Sequence, residues 1–146
     1  NAVHVVALTN NHKVIMVRQY KHGAGKILLE VPAGYIHKKE TPPAAAKREL
    51  LEETGYAAKR WRRLGFFYSN PTLEKGNGTY VFLAEGATFR AMQNLDTTEA
   101  IEVFLFSQDE VLRKITSNQI RVSPSTLALL LGLLKKRKLR IRDTRS

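Results

Sequence analysis

The sequence contains no cysteine, and it has no long apolar run. The lack of cysteine excludes disulfide bonds, thiol nucleophiles and thiolate metal sites, and it favours a cytoplasmic location. The longest apolar run, residues 127–134, is much shorter than the roughly 20 residues that a membrane-spanning helix needs. The first residues show no signal-peptide pattern. We therefore expect a cytoplasmic protein that does not cross a membrane.

Acidic residues are scarce, since 13 of them stand against 24 lysines and arginines and give a net charge of +11. Many basic residues fall in a tail at about residues 135–146. This tail could bind nucleic acid, or it could be the solvated end of a helix, whose C-terminus favours cations. We favour the second interpretation and do not expect nucleic acid as a partner. The positive field would still attract an anionic phosphate substrate.

The four histidines show none of the spacings that are typical of metal ligands. They are His4, His12, His22 and His37. We expect all four to be exposed residues of strands and loops, so a metal site in this chain would use oxygen ligands.

The pattern of apolar residues predicts a single α+β domain over residues 1–146, with helices packed on a mixed β-sheet. Strands are expected at residues 2–8, 13–20, 26–32, 63–68, 78–84 and 102–106. A loop is expected at residues 33–41, and later helices are expected at residues 109–115 and 124–134.

The first helix is expected to run over residues 42–54. Thr41 can cap it, and Pro42 and Pro43 suit its first turn because the N–H groups there lack helical partners. Gly55 is the type of residue that ends a helix, because it readily adopts a left-handed conformation.

Four acidic residues are concentrated in and just before this helix: Glu40, Glu49, Glu52 and Glu53. At about 100° per residue, the last three share an arc of roughly 100°. Leu50 and Leu51 are expected on the opposite side, facing a core. Like charges on one turn repel each other, and a divalent cation would remove that cost. Carboxylate oxygens without histidine or thiolate favour Mg²⁺, with Mn²⁺ as a second candidate.

Arg48 and Gly34 fit such a metal site. Arg48 is either an ordinary partner in surface ion pairs or the residue that orients a glutamate by a bidentate contact. Gly34 would let the loop backbone approach the helix, so that the carbonyl of Ala33 could face the metal. Metal ions neutralise the charge of a diphosphate and acidify a bound water, and a further carboxylate can accept the proton of that water.

Residues 34–56, GYIHKKETPPAAAKRELLEETGY, carry nine defining positions of a known motif, the Nudix box. These positions are Gly34, Glu40, Arg48, Glu49, Leu50, Glu52, Glu53, Gly55 and Tyr56. The sequence therefore resembles the Nudix hydrolase family. The resemblance implies a Nudix-type α/β/α sandwich with a mixed β-sheet and Mg²⁺-dependent hydrolysis of a diphosphate bond in a nucleoside diphosphate derivative.

The resemblance also implies roles for these residues. Glu49 and Glu53 would be the chief metal ligands, Glu52 would join them directly or through water, and the carbonyl of Ala33 would complete the shell. Glu52 and Glu53 would thereby take part in catalysis. Arg48 would support the catalytic constellation, together with Glu40.

Residues outside the box resemble the ADP-ribose pyrophosphatase branch of the family. The resemblance lies in the sequence RQY at residues 18–20, LEVPAG at residues 29–34, and a proline 16 residues after Gly55. Glu99 matches a glutamate late in the sequences of that branch, which can act there as general base. The residues expected to contact substrate are Arg18, Lys21, Glu30, Gly34 and Pro71. Members of the branch are commonly dimeric, so we expect a homodimer.

The sequence departs from this branch at two places that bear on the substrate. Lys21 stands where the branch usually has an arginine, and residues 69–72 read SNPT rather than the usual Ser-Pro-Gly run. ADP-ribose or another ADP- or NDP-sugar is the expected small-molecule substrate, giving a nucleoside monophosphate and a sugar phosphate. The alternatives are hydrolysis of capped RNA, dinucleoside polyphosphates or nucleoside triphosphates, and a non-catalytic domain that senses ADP-ribose.

Overall fold

The computed structural model of the protein describes residues 1–72, 76–95, 97 and 100–137. The strands within these ranges are β1 (Ala2–Thr9), β2 (Val14–Lys21), β3 (Lys26–Glu30), β4 (Ala33–Tyr35), β5 (Tyr56–Ala57), β6 (Arg60–Tyr68), β7 (Gly78–Phe89) and β8 (Ile101–Phe106). The helices are α1 (Pro42–Thr54), α2 (Gln108–Thr116) and α3 (Ser123–Arg137). Glu99 and most of the predicted basic tail lie outside the described residues.

The strands form a mixed sheet around β1 and β7. These two strands run parallel, from Ala2 opposite Thr79 to Thr9 opposite Ala87. Antiparallel pairs extend the sheet: β6 and β5 pair with β7, β4 and β2 pair with β1, and β3 and β8 pair with β2. The predicted mixed sheet is confirmed.

Helices cover both faces of this sheet, because the side chains of β1 alternate between two cores. On one face, Val5 and Ala7 lie in the same buried cluster as Leu50 of α1. On the other face, Val6 lies in a cluster with Leu129 of α3. The predicted α/β/α sandwich is therefore confirmed. Within the described ranges, no helix is long and apolar enough to cross a bilayer.

Several of the predicted boundaries are wrong, including those at β4, β6 and β7. Ala33–Tyr35 was expected in a loop but forms β4, because its backbone pairs with β1. Three residues are too few to show the alternation by which a strand is recognised. β6 starts before residue 63, at Arg60, and β7 continues past residue 84 to Phe89. Exposed arginines conceal the start of β6 in the sequence, and its pairing with β7 determines that start instead.

Adjacent leucines of α1 lie in different environments. Leu50 is fully buried, as predicted, whereas Leu51 is 38% exposed. The prediction that both face the core is therefore wrong for Leu51. A step of about 100° around the helix separates the two side chains, and this step carries Leu51 to the edge of the covered face.

This difference predicts unequal effects of alanine substitution. Leu50→Ala should lower the free energy of unfolding by about 2–5 kcal/mol, because it leaves a cavity between α1 and the sheet. Leu51→Ala is the matched control, with an expected loss of less than about 1 kcal/mol. Urea denaturation followed by circular dichroism measures both. Equal losses in the two variants would contradict the placement of α1.

Candidate functional site

Both ends of α1, the helix that carries the candidate carboxylates, are fixed by local contacts. Thr41 caps the helix by accepting a hydrogen bond from the Ala44 N–H at 3.4 Å. Gly55 ends it with a φ of 75°, as the sequence predicts. A Cβ atom on Gly55 would overlap the carbonyl oxygen of Ala91. The position therefore needs glycine both for its backbone conformation and for the close approach of the next segment.

The segment that follows β7 docks on this end of α1. The N–H groups of Arg90 and Ala91 donate to the Gly55 carbonyl at 2.8 and 3.2 Å. The side-chain Nε2 of Gln93 donates to the backbone carbonyl of Glu53 at 2.6 Å and to that of Ile101 at 3.0 Å. The end of α1 is thereby tied to the start of β8.

Arg48 is the centre of the polar network on α1. Its Nε and Nη2 donate to the two carboxylate oxygens of Glu40 at 2.8 and 3.0 Å. Nη1 donates to Glu49 at 2.7 Å and to Glu52 at 3.0 Å, and Nη2 also donates to the Tyr35 carbonyl at 2.9 Å. Five N–H donors thus meet five acceptors, which is the full capacity of a guanidinium. The interpretation of Arg48 as an orienting residue agrees with this geometry.

Glu40 closes the loop between β4 and α1. Its Oε2 accepts a hydrogen bond from the His37 N–H at 2.9 Å in addition to the contacts from Arg48. The hydrogen bonds from Arg48 lower the pKa of Glu40 from its ordinary value to about 2, and the bond from His37 acts in the same direction. Glu40 therefore stays ionised, and the loop stays closed, well below neutral pH.

Strand β4 places its backbone directly against the carboxylates of α1. Glu53 is 4% exposed, and its Oε2 accepts a hydrogen bond from the Ala33 N–H at 3.0 Å. A Cβ atom on Gly34 would overlap the carboxylate of Glu49. The predicted close approach at Gly34 is therefore present. The recorded contact of Ala33 uses its amide, and the role of its carbonyl stays a prediction.

The donor set at this site fits a hard divalent cation. Glu49, Glu52 and Glu53 line one cavity together with Ala33 and Gly34, so carboxylate and backbone oxygens are available as ligands. In the described part of the chain, no three histidine, aspartate or glutamate side chains are arranged to hold a metal ion. Glu49 and Glu52 each give an oxygen to Arg48 instead. A cation bound here would compete with Arg48 for these oxygens.

Residues that the sequence analysis did not single out also line this cavity, namely Gln19, Tyr35, His37, Asn94 and Leu95. The sequence could have indicated Gln19 as a cavity residue, because it lies two positions before Lys21 on a predicted strand. It is 8% exposed near the end of β2, and it shares a strand face with Lys21, which was predicted to contact substrate. Asn94 and Leu95 belong to the segment after β7 that docks on α1. No pattern in the sequence predicts that docking.

Lys21 also reaches a second cavity, where it pairs with Glu30 of β3. Its Nζ lies 3.2 Å from Glu30 Oε2. Burial raises the pKa of the Glu30 carboxyl, although Lys21 and Gln19 act in the opposite direction. The Nζ–Oε2 distance allows an ion pair, but this buried oxygen has no hydrogen-bond partner among the described residues. The structure thus brings Lys21 and Glu30 together beside the carboxylates of α1.

His4 was expected to be exposed, and this prediction is wrong. It is 8% exposed on β1, and its Nδ1 lies 2.6 Å from the Thr79 hydroxyl oxygen of β7. Burial lowers the pKa of His4 to about 4, and the charge of Lys21 acts in the same direction. The imidazole is therefore neutral near pH 7. The sequence could not show this, because the parallel β1–β7 pairing joins residues that lie far apart in the chain.

Arg18 and Pro71 do not join the other predicted residues. The Arg18 side chain lies on the opposite face of β2 from Gln19 and Lys21, where its Nη2 donates to both oxygens of Glu102 at 2.9 and 2.7 Å. Pro71 lies in an exposed turn, and it does not belong to the lining of either cavity. Their proposed roles in substrate binding have no support in this arrangement, and the role of Glu99 stays a prediction.

Comparisons with known proteins agree with the motif and the fold. A family model described as the NUDIX domain matches residues 1–125. The chain is 34% identical to an ADP-ribose pyrophosphatase of Bacillus subtilis (strain 168) and 33% identical to a methanol dehydrogenase activator of Bacillus methanolicus. Each match spans 129 residues and covers 88% of this chain and 69% of the relative.

A solved structure titled as that of an ADP compounds hydrolase has the same fold. It superposes with a TM-score of 0.80 at 22% identity, and the match covers 93% of this chain and 73% of the other. The resemblance that the box residues indicated is confirmed. The protein belongs to the Nudix family, and it is a pyrophosphohydrolase of that family.

Proposed function

We propose that the protein hydrolyses the diphosphate bond of ADP-ribose or of a related nucleoside diphosphate sugar, with Mg²⁺, or alternatively Mn²⁺, as cofactor. The products are a nucleoside monophosphate and a sugar phosphate. The observation that carries this proposal is the cavity in which Glu49, Glu52 and Glu53 meet Lys21. Three carboxylates suit a hard cation, and a lysine beside them suits the negative charge of a diphosphate.

The choice of substrate is supported by the relatives. The matching protein of Bacillus subtilis is an ADP-ribose pyrophosphatase, and the match covers most of both chains. A second cavity adjoins the first and shares Lys21 and Gly34 with it. A substrate with a bulky group on each side of its diphosphate fits such a pair of cavities better than a compact one.

We propose the following roles for the residues of this cavity. Glu49, Glu52 and Glu53 would hold the metal, together with the carbonyl of Ala33. A bound metal supplies charge neutralisation and an acidified water. Arg48 fixes the directions of Glu49 and Glu52 by its hydrogen bonds and is a positioning residue.

Two further roles complete the proposal. Lys21, which lines the cavity, would bind a phosphate oxygen, and Glu40 holds Arg48 through a bidentate contact. Glu99 remains the proposed general base. A homodimer and a cytoplasmic location likewise remain proposals, which size-exclusion chromatography with light scattering and cell fractionation can address.

A substrate panel tests the reaction itself. ADP-ribose, an ADP-hexose, a dinucleoside polyphosphate, a nucleoside triphosphate and a capped RNA oligonucleotide are incubated with Mg²⁺, with Mn²⁺ and without metal. We expect release of AMP from the first two substrates with either metal. Preferential cleavage of capped RNA would favour the alternative enzyme, and binding of ADP-ribose without turnover would favour a sensor.

Glu53→Gln should fold normally and lose turnover by at least about 100-fold, because an amide cannot supply the negative charge that the metal needs. The matched control is Glu102→Gln, which removes an exposed carboxylate on the other face of the sheet. AMP release at saturating Mg²⁺ and Mn²⁺ binding by electron paramagnetic resonance measure the effect. Near-normal turnover and metal binding in Glu53→Gln would refute the ligand assignment.

Gly34→Ala should lower turnover by about 10- to 100-fold with little loss of stability, because the new methyl group displaces the Glu49 carboxylate. That carboxylate is the far end of a flexible side chain, so the fold can absorb the change. Gly23→Ala is the control, since a Cβ atom there meets no atom within 4 Å. If both variants turn over substrate like the wild type, the close contact between Gly34 and Glu49 has no role in the reaction.

A further inference from the structure

A second cavity of about 580 Å³ lies beside the carboxylate cavity. The two share Lys21, Ala33, Gly34 and Tyr35. A substrate whose diphosphate lies at the carboxylates of α1 therefore extends one of its halves into the second cavity. The chemistry of that half can be inferred from the polar groups that line the cavity.

His4 presents one of these polar groups. Its Nδ1 forms a hydrogen bond with the Thr79 hydroxyl at 2.6 Å, and that hydroxyl also lies 3.4 Å from the Ala2 carbonyl oxygen. Nε2 is thereby left as the ring nitrogen available to a ligand in the cavity. The proposed hydrolysis of a diphosphate does not use this buried histidine.

Glu30 presents the second polar group. Its side chain is 5% exposed, it lines the same cavity, and its Oε2 has no hydrogen bond within the described residues. Lys21 compensates part of its charge from 3.2 Å. A carboxylate that is 5% exposed and has one cation as its neighbour is stabilised by further donors, so a ligand that donates a hydrogen bond would be favoured here.

Hydroxyl groups satisfy both requirements. A hydroxyl can donate to the Glu30 carboxylate, and it can either donate to or accept from His4 Nε2, whichever tautomer the ring adopts. A phosphate has only acceptor oxygens at neutral pH and would be repelled by Glu30. We propose that the second cavity is a sugar subsite in which His4 and Glu30 bind hydroxyls of the substrate's ribose, so that His4 is a specificity-determining residue. This proposal rests on the proposed function.

Two substitutions of His4 separate binding from a structural role. In His4→Asn, the short amide can keep the contact with Thr79 but lacks an atom at the position of Nε2. In His4→Gln, the longer amide reaches the position of Nε2 but gives up the contact with Thr79. A subsite predicts that Asn is the harmful change and Gln the tolerated one, whereas a purely structural role predicts the reverse order.

The probe is α,β-methylene ADP-ribose, whose bridge cannot be hydrolysed, and its Kd is measured by calorimetry with Mg²⁺. His4→Asn should weaken binding about tenfold, and His4→Gln should stay within about threefold of the wild type. With ADP-ribose itself, His4→Asn should raise KM by a similar factor while kcat changes little. Thermal denaturation checks that both variants are folded, and Glu30→Gln, which should also weaken binding, serves if His4→Asn does not fold.

The two riboses of the substrate are distinguished by truncated probes. The methylene analogue of the methyl ester of ADP lacks the distal ribose, and the 2′,3′-dideoxyadenosine form of the probe lacks the hydroxyls of the nucleoside. Loss of the His4→Asn effect with either probe supports the subsite and identifies the ribose. An unchanged tenfold effect with both probes, or wild-type affinity in His4→Asn, overturns it. If the wild type hydrolyses no diphosphate, the proposed function fails, while the ratio of Kd values still decides the subsite.

Discussion

One guanidinium holds the candidate site together. Without Arg48, the carboxylates of Glu40, Glu49 and Glu52 would repel each other beside α1. With it, each of them accepts a charge-assisted hydrogen bond, and the Tyr35 carbonyl ties β4 to the same group. Lysine could not replace this residue, because an ammonium has three donors and no planar fork. A single side chain therefore links the loop, the strand and the helix.

The close approach of β4 to α1 completes this arrangement. Gly34 lets backbone lie where a side chain would otherwise meet the Glu49 carboxylate, and Ala33 donates to the buried Glu53. The cavity consequently has carboxylates of α1 on one side and the backbone of β4 on the other. Lys21 lies where the two cavities join, so a single positive charge can serve a diphosphate that spans them.

Local features of the site could be predicted, and long-range ones could not. The bounds of α1, its capping by Thr41 and the clustering of its glutamates follow from spacing within about 20 residues. His4 is buried against Thr79, which a parallel strand pair brings near, and Arg18 pairs with Glu102 of a neighbouring strand that lies far away in the sequence. Residues 69–72 distinguish the sequence from the branch it resembles, and Ser69 among them lines the second cavity, which the sequence could not show.

The two hydrogens of the Gln93 amide carry a constraint that reaches beyond the cavity. One holds the carbonyl of Glu53 and the other holds the carbonyl at the start of β8. An asparagine would be too short to reach both carbonyls, and a glutamate would offer them no hydrogen. Substitution at position 93 by either residue would therefore lose at least one of these contacts, although Gln93 carries no charge. One neutral amide therefore fixes the position of β8 relative to the end of α1 that carries Glu53.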